Sequence, residues 1–277
     1  MTAARLVELW RGGLCESAHL GHAVIADAGG IVEAWGNPAA VIYPRSSCKM
    51  IQALPLVESG AADAAGLGPE QLALACASHQ GAAIHTSRVG AWLGGLGLAE
   101  RDLRCGAHMP NDPAENRRLT CADEPPCQLH NNCSGKHAGF VCTACALGVD
   151  VAGYVRPGHQ VQQEVKAALE DVTGTALDAA RRGTDGCSIP TYAIPLRALA
   201  HGFAALLAVG VDTDSLRRGD GADKHGTTGQ GMDAGTNADD ASSAATTRRA
   251  AARALGEDCL RMLQRHRVDL TLFFQAL

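Results

Sequence analysis

Tyr43-Pro44-Arg45-Ser46-Ser47-Cys48-Lys49-Met50-Ile51-Gln52 contains a Ser-x-x-Lys, Ser46 with Lys49, directly after a proline able to open a helix. Lysines are scarce in the chain, so random placement of its serines and lysines over 277 residues gives well under one such pair. Residues three apart on a helix share a face, with Cβ atoms roughly 5–6 Å apart, so hydroxyl and amine can touch. A serine hydroxyl becomes a nucleophile when a base removes its proton, and a lysine serves as that base when burial or a second cation lowers its pKa. Met50-Ile51-Gln52-Ala53-Leu54-Pro55-Leu56 is apolar enough to bury the turn, and Arg45 supplies a second positive charge. A helix start also offers free backbone N–H groups and a positive dipole, which favour negative charge developing near the serine. The plainer alternative is an N-cap serine followed by an exposed lysine.

Before this stretch the pattern is β. Residues 5–10 alternate, and the short apolar runs 22–27 and 31–35 are joined by Asp27-Ala28-Gly29-Gly30, a hairpin turn signal. After it the pattern is helical: 46–58 ending at Ser59-Gly60, then 69–77, 84–97 and 159–173, each with apolar residues at three- and four-residue spacing. Strands followed by helices predict an α+β fold with an antiparallel sheet and a helical lobe. Segment 106–131 carries Pro110, Pro113, Pro125 and Pro126 and few large apolar residues, so it reads as a covering loop of the kind that borders active sites.

Composition narrows the function. An apolar content of 46% in 277 residues is enough for one substantial core. A net charge of −5, with no Lys/Arg cluster interleaved with aromatics, excludes nucleic acid as the expected partner and favours a small-molecule substrate. No run approaches a membrane span and the first residues have no signal-like apolar stretch, so no membrane association and a cytoplasmic location are expected. In that reducing setting the 11 cysteines read as thiols, metal ligands or small buried hydrophobes.

Three further segments carry chemistry. Cys76-Ala77-Ser78-His79-Gln80-Gly81 ends an apolar helix in hydrogen-bonding side chains: either a second catalytic hydroxyl at Ser78 or an ordinary C-terminal cap. Asn131-Asn132-Cys133-Ser134-Gly135-Lys136-His137 packs amides, thiol, hydroxyl, amine and imidazole into seven residues. Its Ser-Gly-Lys lacks the full phosphate-loop pattern. Asp185-Gly186-Cys187-Ser188-Ile189-Pro190 places a charge and a thiol on a turn. Cys133 and Cys187 are candidate soft ligands, for which zinc is the usual metal. Cys142 and Cys145, a C-x-x-C inside an apolar run, read as helix cysteines, and the remaining cysteines receive the same plain reading.

Taken in order, Val7-Glu8-Leu9-Trp10-Arg11-Gly12-Gly13, Arg45 to Leu56, Ala77 to Gly81 followed by His85, Asn131 to His137, and Asp185-Gly186-Cys187 resemble the asparaginase II family, the serine–lysine bacterial class with a β-lactamase-like (glutaminase-like) fold. The resemblance covers residues 5 to about 206. It implies hydrolysis of L-asparagine to L-aspartate and ammonia, with Ser46 as nucleophile, Lys49 as its base and Ser78 as a second hydroxyl in the relay. It also implies a zinc ion at Cys133, Lys136 and Cys187, and a substrate pocket lined by Arg45, His79, His137 and Asp185. Family members commonly form dimers, so a homodimer is implied as well.

The resemblance fades toward the end. Residues 210–247 are mostly Asp, Gly, Thr, Ser and Ala with few large apolar side chains, Leu216 and Met232 among them, and are expected to be a disordered linker. The expected organisation is a catalytic domain over 1–209, the linker 210–247, and an atypical helix and tail over 248–277. An altered or truncated ending of this kind, from a frameshift or divergence, predicts that another frame of the coding DNA carries the family's ending. It would also leave strands 5–35 short of sheet partners. Two other readings stay open: a non-catalytic descendant that binds zinc or an amino acid, and a different Ser-x-x-Lys hydrolase.

Overall fold

Two β-hairpins open the chain. In the computed structural model, which describes residues 2–27 and 29–208, β1 (Ala4–Arg11) pairs antiparallel with β2 (Leu14–Gly21). The turn between them is Gly12-Gly13, with φ of 55° and 80°, the left-handed pair that a tight hairpin needs and that glycine adopts without strain. β3 (Ala23–Asp27) pairs with β4 (Gly30–Trp35) across the expected turn. β2 was not foreseen, because Leu-Cys-Glu-Ser-Ala-His-Leu-Gly has no β-branched residue; its pairing with β1 overrides its weak propensity. β5 (Val41–Ile42) follows and leads into a 3₁₀ turn, Arg45–Cys48.

The helix expected over 46–58 is three pieces: that turn, α1 (Lys49–Gln52) and α2 (Leu54–Glu58). Pro55 lacks the N–H that a continuous helix would use and crowds the carbonyl four residues earlier, so the helix restarts with proline in its first turn. α3 (Ala61–Ala64), α4 (Pro69–Cys76) and α5 (Ala83–Gly95) come next. Within the expected loop 106–131 lies α6 (Pro113–Ala122), a correction to the sequence reading. Asp112 caps it by accepting from Glu115 N at 2.8 Å, and Pro113 occupies the first turn, where its missing N–H costs nothing. α7 (Ser134–Ala146) and α8 (Gln160–Thr173) follow. α8 is capped by the His159 side chain and stopped at Gly174, whose φ is 61°. β6 (Arg182–Thr184) pairs with β7 (Pro190–Tyr192), β8 (Ile194–Pro195) pairs back onto β5, and α9 (Leu196–Ala208) completes the described chain.

The result is α+β: a helical body with small antiparallel sheets at its margin. α7 is its axis, with every residue from Ser134 to Ala144 buried. α2, α3, α4, α5 and α8 surround it, and Ile51, Leu54, Leu74, Val89, Leu93, Val141, Val165 and Leu169 fill the space between. Closest is α4: a Cβ on Gly135 would overlap the Leu74 carbonyl, so only glycine permits this approach. A helix buried all round must also bury whatever polar groups it carries, and α7 carries Ser134, Lys136 and His137 inward.

Among the described residues the four sheets are two-stranded and separate. β3 packs on α9, but Trp10 and Leu14 are 62% and 73% exposed, and Leu6, Val7, Leu9, Leu20 and Val32 are exposed too. No helix of the described residues is long and apolar enough to cross a membrane. The linker 210–247 and the helix and tail 248–277 lie outside the described residues.

Candidate active site

Lys49 organises the centre. It is the first residue of α1, and its backbone N–H bonds Ser46 O, which places the two residues one 3₁₀ turn apart, where positions i and i+3 eclipse. Its side chain is 1% exposed, yet Nζ reaches Ser78 Oγ at 2.8 Å, Ala77 O at 2.8 Å and Asn132 O at 3.3 Å. Burial lowers its pKa from the ordinary lysine value; Cys133 opposes the fall and the positive charge of Lys136 adds to it. Ser46 and Ser78 are both exposed residues, and the buried amine bonds the Ser78 hydroxyl.

Arg45 begins the turn at a φ of 51°, a left-handed position that costs a non-glycine residue about 1–2 kcal/mol. Its Nε donates to Asp185 Oδ1 at 2.6 Å, and Gly186 N donates to the same oxygen at 2.7 Å. This ion pair ties the Ser46 turn to the tight turn 185–188, which Asp185 closes by accepting from Ser188 N at 2.8 Å. The guanidinium side is open, with Arg45 58% exposed against 7% for Asp185.

His79 is buried, and both its nitrogens are committed. Gly81 N donates to Nδ1 at 3.1 Å, so Nε2 carries the proton and donates to Ser134 Oγ at 2.8 Å. Ser134 in turn donates to Leu129 O at 3.0 Å. Burial first, then the stacked His85 ring at 4.9 Å, pushes the His79 pKa down to about 3, so the ring is a neutral pin between the end of α4 and the start of α7. Gly81 has a φ of 74°, and a Cβ there would lie 2.7 Å from His130 O.

The first turn of α7 supplies Cys133, Lys136 and His137, and the 185–188 turn brings Cys187 to them. Lys136 Nζ lies 3.2 Å from Cys187 Sγ with both residues buried. Cys133 and Cys187 stand within hydrogen-bonding reach of each other. That contact lowers the Cys133 pKa against the effect of burial, with Lys136 and Lys49 helping, and it raises that of Cys187. Burial acts against the charge of Lys136, but the two sulfurs outweigh it and its pKa rises. Among the described residues no three His, Cys, Asp or Glu side chains gather to hold a metal. A cation here would therefore take two sulfurs and the Lys136 amine.

His137 is wholly buried. Tyr154 OH accepts from Arg104 N at 2.9 Å and so donates its own proton to His137 Nδ1 at 2.6 Å. Among the described residues this leaves the His137 Nε2–H without a partner. Burial, then the charges of Lys136 and Lys49, lowers its pKa well below the ordinary value.

All ten residues expected from the resemblance thus fall around the start of α7, in three groups: Ser46, Lys49 and Ser78; Arg45 with Asp185; and Cys133, Lys136 and Cys187. His79 and His137 buttress them from inside. Missing from the sequence reading were the Ala77 and Asn132 carbonyls and the Ser134 and Tyr154 hydroxyls. Ala77, Asn132 and Ser134 lie within the motif segments, but nothing in the sequence signals Tyr154.

No curated protein matches the chain. A family model described as L-asparaginase II matches residues 7–226, spanning every element that builds this centre and running past the change in composition at 210. The chain belongs to the L-asparaginase II family.

Proposed function

We propose that the chain is an L-asparaginase working by a serine acyl-enzyme on a β-lactamase-like fold. The observation that carries this reading is the buried Lys49 amine, lowered in pKa, at 2.8 Å from Ser78 Oγ and one 3₁₀ turn from Ser46. Lys49 takes the Ser46 proton as Oγ attacks the side-chain amide carbon of asparagine. The relay through Ser78 returns a proton to the departing nitrogen, and ammonia leaves. Water, deprotonated by the same amine, then cleaves the ester to give aspartate. Arg45 keeps further N–H donors beyond the one on Asp185, which suits the substrate's α-carboxylate, and Asp185 suits the α-ammonium.

Zinc belongs to this reading as a ligand of Cys133, Cys187 and Lys136. Two donors fit by their chemistry, since zinc takes thiolate sulfur and the two thiols stand together beside Lys136. Lys136 fits on losing its proton, as metal binding demands of its ligands. When bound, zinc supplies a fixed positive charge between α7 and the 185–188 turn.

One observation favours a second reading, a binding protein without turnover: Arg45 and Asp185 already spend charge on each other. Ammonia release from L-asparagine and L-glutamine by the full chain, with zinc content measured on the same sample, separates the two. Turnover of asparagine that Ser46→Ala removes supports the asparaginase. Turnover surviving that change refutes the serine route, and zinc without turnover supports the binding protein.

A further inference from the structure

A second constellation of reactive side chains lies outside the Ser46–Lys49 centre, where the chain leaves α6. Past Asp123, a left-handed C-cap at a φ of 54°, the chain runs through Pro125 and Pro126 to Cys127 and a 3₁₀ turn, Gln128–His130. The path returns His130 to the first turn of α6. There its Nε2 meets Glu115 Oε1 at 3.4 Å, a long contact, and its Nδ1 meets Cys127 Sγ at 3.3 Å.

The tautomer follows from the backbone. Cys127 N donates to His130 Nδ1 at 3.0 Å, so Nδ1 carries a lone pair and Nε2 carries the hydrogen, directed at the carboxylate. The basic nitrogen is thereby turned toward the thiol. Glu115 is buried and held as an anion chiefly by Arg118, whose Nε and second guanidinium nitrogen lie 2.9 and 2.8 Å from Oε1. His130 adds to that effect. Thiol, imidazole and carboxylate thus stand in the order that lets a base take a proton while a fixed negative charge supports the resulting cation. Cys127 is only half-buried, so a small electrophile can reach it. A thiol that merely filled space in this turn would need neither the oriented ring nor the carboxylate behind it.

We propose that Cys127, His130 and Glu115 form a second nucleophilic site, at which Cys127 undergoes thiol–disulfide exchange with low-molecular-weight disulfides of the glutathione type. The Nδ1 lone pair faces the thiol as well as the Cys127 amide, and the thiol loses its proton as attack proceeds. His130 takes that proton, and the Cys127 sulfur bonds to one sulfur of the disulfide. The original S–S bond breaks, and the other half leaves as a thiolate that receives the proton from His130. Cys127 is oxidised to a mixed disulfide, half of the reagent is reduced to a thiol, and a second thiol reverses the exchange.

Cys121 and Cys145 are built-in controls, since both are exposed and neither touches an imidazole among the described residues. The full chain is treated with glutathione disulfide, quenched with acid at intervals, and mapped by peptide mass spectrometry. Cys127 is expected to acquire the glutathionyl group at least about tenfold faster than Cys121 and Cys145, the low end of general-base assistance. Glu115→Gln and His130→Asn are expected to bring it down to their rate without altering theirs. Equal rates for the three thiols, or a Cys127 rate unchanged in both variants, would overturn the proposal. If His130→Asn unfolds the chain, the buried Cys48 and Cys142 will also be labelled, and Glu115→Gln, checked by the silence of those two, then decides.

Discussion

Lys49 and His79 are both buried bases, and the difference between them is in their partners. The lysine has an accessible hydroxyl within reach, whereas the histidine has both nitrogens bonded to protein atoms. Replacing Lys49 by Met keeps the length and removes the amine. If Ser46 and Lys49 act as the proposed nucleophile and base, ammonia release is expected to fall at least about 100-fold, and the double change with Ser46→Ala to cost no more than either alone, because such a pair acts as one unit. A steady-state assay of the three variants tests this, and additive losses would count against a shared role. The His79 ring shifts stability instead. Unfolded, it protonates at its ordinary 6.5; folded, only at about 3. Between those values the unfolded state holds more protons, so stability falls as pH drops below 6.5, by about 1.4 kcal/mol per unit from this group, and the loss ends near 3. Urea unfolding at a series of pH values will show that slope. His79→Gln will reduce it without abolishing it, since His85 and His137 are shifted in the same direction. The turn that sets Lys49 three residues after Ser46 was legible because it depends on local spacing. The commitment of His79 was not, because both its partners are set by how the end of α4 meets α7.

Helix periodicity located α4, α5 and α8 to within a residue or two, since each has one apolar face and a clear stop. α6 was hidden for a definite reason: four prolines and few large apolar residues look like a loop, but Pro113 sits in the one helical turn that favours proline. α7 shows the converse. Cys133, Lys136 and His137 occupy positions i, i+3 and i+4 and were readable as a cluster, while Cys187, 51 positions beyond Lys136, was placed beside them by the fold. The register of α7 against α4 rests on Gly135. Gly135→Ala forces the helices apart at the Leu74 carbonyl and is expected to cost about 1–3 kcal/mol. Because Ala77 and Ser78 follow α4 while Cys133 and Lys136 begin α7, turnover is expected to drop more than stability does. Chemical denaturation and ammonia release on one preparation will compare the two, and a variant with full activity would show that the approach is not needed.

For the molecule entire, the alternation in 5–10 marked a strand, and Leu6, Val7, Leu9 and Trp10 on it are all exposed. The strands were legible and their covering was not, because alternation gives a strand's period without saying what lies across from it. Paired strands with open edges and large apolar side chains associate. Sedimentation velocity is expected to show assembly growing with concentration, and Trp10→Lys with Leu14→Lys to return the chain toward monomer. A monomer at every concentration would refute this.

The bonds of the Lys49 amine cross 28 and 83 positions of chain, to Ala77 and Asn132. Such loops close late in folding, since the entropy of bringing distant segments together is spent before any contact rewards it. A chain that has formed its local helices therefore still lacks the buried Lys49 amine on which the proposed reaction depends. Refolded from denaturant, the protein will regain helical signal ahead of ammonia release, and the gap between the two will time the arrival of the Asn132 segment.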